Sequence, residues 1–196
     1  MEILQFIGML VATLVIIMVL PKKASAHCDT MDGPTAADGM KALETNNINY
    51  ALKWIMPEHE EELKKIFEQS VKVRKLGQDA KGLSDRYFLE NLVRIHRAGE
   101  GAPYEGLKPS GIPIDEKIAA ADKSIEVGDL SPLEGLVSKD EMPELEERFE
   151  KVMSLKEFDV NDVEAGREYI GAYVSFFKFA EGEEANEAHG HAAHHK

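Results

Sequence analysis

Apolar residues recur along most of this chain at spacings of three and four, the mark of helices that each bury one stripe. Pro34 opens a short helix over Thr35 to Thr45, which Asn46-Asn47 breaks, and Ile48, Leu52 and Ile55 place a second short helix to Met56. Pro57 suits the first turn of a longer helix to about Leu76. Glu58, Glu60, Glu61 and Glu62 lie at its positive end, and Leu63, Ile66, Phe67, Val73 and Leu76 form its inner face. Gly77 and Gly82 mark a break, after which Ser84 can cap a helix to about Ala98 carrying Phe88, Leu92 and Ile95. Gly99 to Gly111 holds four glycines and two prolines and reads as a loop.

Ile114, Ile118, Ala121 and Ile125 place the next helix, and Met142, Leu145, Phe149 and Val152 another to about Leu155. Asn161 or Asp162 can cap the last, where Ile170, Val174 and Phe177 recur and Tyr169, Tyr173 and Phe176 widen the face. No stretch alternates as a strand does. The expected fold is all-α, a bundle of about four longer helices plus short ones.

Ile3 to Leu20 is different: apolar throughout except for Gln5, Gly8 and Thr13, and followed by Pro21-Lys22-Lys23 and Ala24-Ser25-Ala26. The small-x-small triplet is a signal-peptidase site, which makes residues 1–26 a signal peptide and exports the protein to the periplasm, another extracytoplasmic space or the medium. The lysines after the apolar run also fit an uncleaved anchor whose carboxyl side faces the cytoplasm, since the run is just long enough to span a bilayer. The expected organisation is therefore a leader over 1–26, a helical domain over 27–180, and a polar His-rich tail over 181–196. Any membrane contact runs through the leader alone.

Charge narrows the partners. The net charge is −13, and removal of residues 1–26 leaves 21 basic against 35 acidic residues, −14. Such a chain repels nucleic acid and attracts cations. Cys28 is the single cysteine, so no internal disulfide forms, and an unpaired thiol in an oxidising compartment calls for a reason.

Cleavage after Ala26 supplies one. His27 would gain a free α-amine, and that amine, the amide nitrogen of Cys28 and the Cys28 thiolate form two fused five-membered chelate rings. This planar set of nitrogen and sulfur donors suits copper or nickel. The His27 imidazole can add an axial ligand, Asp29 and Asp32 are nearby carboxylates, and Gly33-Pro34 can turn the chain back to close a hook. A brace of amine and imidazole around copper, with His96 as the second histidine, is the chief variant. His189, His191, His194 and His195 form a second, looser metal-collecting group in the tail. Tyr104 and Lys108, in the loop after His96, can cover a pocket beside it. His59, among glutamates, reads as a surface residue, and the acid run Glu141 to Glu150 as a solvated face.

The segment His27-Cys28-Asp29-Thr30-Met31-Asp32-Gly33 resembles the amino-terminal hook of nickel superoxide dismutase, whose pattern is His-Cys-Asp-x-x-Cys-Gly. The resemblance implies ligand roles for His27 and Cys28. Asp32 stands where the second thiolate would be, and a hard carboxylate does not stabilise oxidised nickel as a thiolate does. Over nearly all of the presumed mature chain the sequence also resembles an uncharacterised family of exported prokaryotic helical proteins. The segments HCDTMDGP (27–34), HRAGEGAPYEGLKP (96–109) and GREYIGAYV (166–174) carry that likeness. These readings converge on an exported metal-binding protein that buffers, delivers or senses copper or nickel. The alternatives are a redox enzyme acting on a small oxygen species and an anchored interaction protein.

Overall fold

The computed structural model describes residues 26–182. Within them lie seven α-helices: α1 Pro34–Thr45, α2 Asn49–Leu52, α3 Glu60–Val73, α4 Gln78–Gly99, α5 Glu116–Val127, α6 Met142–Leu155 and α7 Val163–Glu181. Single 3-10 turns at Ala26–Asp29, Pro57–His59, Arg74–Leu76 and Ser131–Leu133 join or precede them. Among the described residues β structure is limited to isolated bridges, so the fold is all-α as expected.

Two helix pairs make the frame. α3 lies against α4 and α6 against α7, while α1 crosses α4 and α5 packs on α7. Phe88, Leu89 and Leu92 on α4 and Ile170, Phe176 and Phe177 on α7 are fully or almost fully buried, so these helices are the two central ones. Gly39 permits the α1–α4 crossing. A Cβ there would sit 2.6 Å from a Leu89 methyl and 2.8 Å from one of Leu92.

Several boundaries differ from the sequence reading. α4 starts directly after Gly77 and runs through Gly82, and Ser84 is no cap. It sits inside the helix, buried, and donates to the Ser70 carbonyl on α3 at 2.7 Å. A serine facing a neighbouring backbone oxygen has its hydrogen bond without ending the helix, which its capping propensity alone does not reveal. α3 hands over at Val73 to a 3-10 turn, which rotates Leu76 outward to 78% exposure. Helix α2 is one turn long, not two. α5 begins at Glu116, capped by the Asp115 carboxylate on the Lys117 N–H, which leaves Ile114 outside and exposed. α6 and the Asp162 cap of α7 fall where the pattern put them. The glutamates of the 141–150 run are exposed, as a solvated face requires.

Candidate functional site

The chain enters the bundle through residues that a surface segment would not bury. His27, Cys28, Asp29 and Thr30 are all at most 8% exposed, and they lie in and just after the 3-10 turn. Gly33 makes the fold-back possible, because a Cβ at that position would lie 2.1 Å from the His27 carbonyl oxygen. The Gly33 N–H bonds the Thr30 carbonyl at 3.0 Å, and α1 starts at once with Pro34. Gly33-Pro34 thus turns the chain back, and residues 27–30 are inserted into the core.

Partners for these residues come from α4, α5, α7 and the loop after α4. Arg97 grips Asp29 through one hydrogen bond, Nη2 to Oδ2 at 2.9 Å, with Nε also 2.9 Å from Oδ1 as an ion-pair contact, and its Nη1 reaches Glu100 at 3.0 Å. Lys108 Nζ lies 4.0 Å from Asp29 Oδ2. The same loop is stitched to the entering segment by main-chain bonds: Lys108 N–H to the Asp29 carbonyl at 2.8 Å, and Met31 N–H to the Lys108 carbonyl at 2.9 Å. Lys108 therefore does cover this region, but by clamping residues 29–31 and not by closing a pocket. Tyr104 is half-buried against the core.

His27 Nε2 stands 2.6 Å from Asp122 Oδ2 on α5, and the Tyr173 hydroxyl on α7 donates to the other Asp122 oxygen at 2.7 Å. The His27 ring meets Phe177 edge-on. His96 Nδ1 lies 2.8 Å from the Trp54 carbonyl. A carbonyl only accepts, so Nδ1 carries the hydrogen. His96 Nε2 is buried without a hydrogen-bond partner among the described residues, and the Glu100 carboxylate is 3.8 Å away. Trp54 lies edge-on to both His96 and Tyr173, which joins the two halves of the cluster.

Burial dominates the electrostatics. It pushes the Cys28 thiol up to about 12, helped by the Glu100 and Asp29 carboxylates and opposed by a hydrogen bond with Thr35 and by Arg97. At neutral pH Cys28 is a protonated thiol. Burial also raises Asp29 more than Arg97 and Lys108 lower it. Glu100 goes the other way: burial is outweighed by His96, Arg97 and Lys178. Burial, with the Asp122 charge, raises Tyr173 well above its usual range.

The structure thus brings His27 and Cys28 into one turn and puts His96 in the same polar interior. Asp32 is engaged elsewhere. Its exposed carboxylate accepts the Gly111 N–H at 2.8 Å, and that bond, with one from Thr30, holds its pKa down. His189, His191, His194 and His195 lie outside the described residues. Among the described residues no three His, Cys, Asp or Glu side chains converge to hold a metal ion.

Sequence reasoning passed over Arg97, Glu100, Asp122 and Tyr173. Arg97 and Glu100 stood beside His96 in a quoted segment, and an arginine one residue past a buried histidine, near a helix end, was a usable signal. Asp122, one residue from the buried Ala121, was a weaker one. Two open surface grooves, of about 580 and 560 Å³, are lined by residues around Arg74 and Arg148 and share none with this cluster.

No curated protein and no solved structure matches this chain. Its three quoted segments, 27–34, 96–109 and 166–174, all contribute to or border the cluster, and a family model covers most of the length that contains them. That match runs over residues 32–179, beginning just after the His27-Cys28 turn, and the chain belongs to the family of unknown function DUF6448.

Proposed function

We propose that this is an exported transition-metal-binding protein that takes one copper or nickel ion at the amino terminus created by cleavage before His27. The observation that carries the reading is the burial of Cys28 among ionisable groups drawn from distant parts of the chain: Asp29, Arg97, Glu100, and the Asp122–Tyr173 pair beside His27. Burying such groups is costly, and a helical bundle of this size has no structural need of them. The carboxylates that raise the thiol's pKa disfavour a thiolate by itself and favour a cation bound to it. Metal binding would displace the thiol proton and keep a positive charge beside Glu100 and Asp29.

Asp122 supports the same reading. A metal-binding imidazole usually has its second ring nitrogen beside a carboxylate, and the Asp122 carboxylate lies 2.6 Å from His27 Nε2, itself steadied by the Tyr173 hydroxyl. Nδ1 is then the ring nitrogen that chelates together with the α-amine of the same residue. His96, fixed by Trp54 and with Nε2 lacking a hydrogen-bond partner, is the candidate fourth donor. Buffering, delivery or sensing suits donors that lie buried in the core.

Protein isolated from the native compartment should begin at His27 by intact mass and carry about one equivalent of copper or nickel. Cys28→Ser should lose tight binding. Unchanged affinity in that variant would move the site to the histidine tail. A second reading rests on the in-protein partners of His27 and Asp29, which fasten the segment into the core with or without metal. On that reading the turn moors a membrane-anchored bundle, and the isolated chain retains its leader and no metal.

A further inference from the structure

We infer that folding closes the processing site, so that cleavage between Ala26 and His27 competes with docking of the hook. The inference rests on the reading of Ala24-Ser25-Ala26 as a peptidase site. A peptidase draws the residues on both sides of the scissile bond into an extended strand within its cleft. Here the Ala26–His27 bond lies inside a 3-10 turn spanning Ala26–Asp29. The first residues past the bond are withdrawn from solvent: His27 at 8%, Cys28 at 4% and Asp29 at 3% exposure.

Extending that turn would separate His27 from Asp122, pull Cys28 out of the interior, and break the Asp29–Arg97 ion pair. It would also release the Lys108 clamp on Asp29 and Met31, and the packing of the His27 carbonyl over Gly33. Apart from the local Gly33 packing, these contacts are long-range ones, made with α4, α5 and the 99–111 loop, so they exist only once the bundle has formed. Before folding, the same bond is open. A chain cut early would acquire the α-amine and its metal donors. A chain that folds first would keep its leader and stay anchored. The cleaved and anchored alternatives are then two fates of one sequence, divided by the order of cutting and folding.

The test uses the full-length chain in dodecyl maltoside micelles with purified signal peptidase, read by intact mass. In one arm the chain is diluted from urea directly into the peptidase; in the other it is refolded first. The expected result is rapid cutting at Ala26 in the first arm and cutting at least about tenfold slower in the second. In the second arm the rate should rise at urea concentrations below those that melt the helices, and Arg97→Ala should raise it without urea. The urea series carries the test if Arg97→Ala fails to fold. Equal rates in both arms would overturn the gating and leave the cleavage reading intact. No cut at Ala26 in either arm would overturn the cleavage reading and this inference with it.

Discussion

A buried thiol pushed up to about 12 makes the metal-free protein sensitive to alkali, and the effect can be worked out in advance. Cys28 has its ordinary value, 9.0, in the unfolded chain and about 12 when folded. The folded state holds the thiol proton more tightly, so the contribution is fully present below pH 9 and is lost as pH rises from 9 towards 12. Linkage gives a loss that begins near pH 9 and reaches about 1–2 kcal/mol between pH 10 and pH 10.5. Tyr173 shifts in the same direction and adds its own loss from pH 10 upward. A comparison of variants separates the two.

The assay is urea unfolding followed by circular dichroism at pH 8 and pH 10, with a chelator and a reductant present. Wild type should lose about 1–2 kcal/mol more than Cys28→Ser between the two pH values. A difference below about 0.5 kcal/mol would refute the reasoning, because the thiol would then ionise in the folded protein nearly as it does in water. Repeating the measurement with one equivalent of copper or nickel tests the proposed site as well. A metal-bound thiolate has no proton to lose, so the Cys28-dependent drop should vanish.

Arg97→Ala leaves the buried Asp29 carboxylate and Glu100 without their main partner, and should cost about 3–5 kcal/mol in chemical denaturation. Adding Asp29→Ala should recover part of that loss, as a double-mutant cycle will show. Gly33→Ala forces a methyl against the His27 carbonyl and should cost about 1–3 kcal/mol, read as a lowered melting temperature. In acid, Glu60 and Glu100 are held below 4.5 when folded, so their stabilisation is present above that pH and is lost as pH falls through the folded values. Glu100→Gln should therefore flatten the stability profile below pH 4.5. Leu83→Ser, at a side chain 74% exposed, should change stability by less than about 0.5 kcal/mol.

The helices were legible because each buries a stripe, and stripes are periodic. α1, α6 and the Asp162 cap of α7 could be read to within a residue or so. Where the reading failed, a tertiary contact had overruled a local preference. Ser84 looks like a cap until Ser70 supplies a carbonyl across the α3–α4 seam, and Leu76 continues its stripe until a 3-10 turn rotates it away. The site was half legible. His27 and Cys28 stood out by their place after the Ala24-Ser25-Ala26 triplet, a one-dimensional signal. Asp122 and Tyr173 become relevant only because α5 and α7 pack together beside the entering turn, and nothing in their own neighbourhoods announces it.

The cluster's construction bears on which kind of site it is. Arg97 and Asp29 nearly neutralise each other, yet burial still leaves Asp29 harder to ionise than a carboxylate in water, so the pair does not fully offset its own desolvation. An apolar pair of similar volume would serve the fold at least as well. What the charged pair provides is direction. The hydrogen-bonded ion pair orients Asp29, and the residue before it in the chain is Cys28. On the other side, Asp122 fixes the His27 ring. The thiol and the imidazole are thereby held from both flanks by groups that cannot themselves move far, since each is anchored on a core helix. Rigid support of two adjacent donors is wasted on a simple plug, which needs only volume. It is in keeping with the metal site proposed above, because a fixed donor geometry discriminates between ions of similar affinity. If Asp122→Asn and Arg97→Lys both left the metal preference of the mature terminus unchanged while lowering stability, that argument would fail and the cluster would stand as a mooring alone.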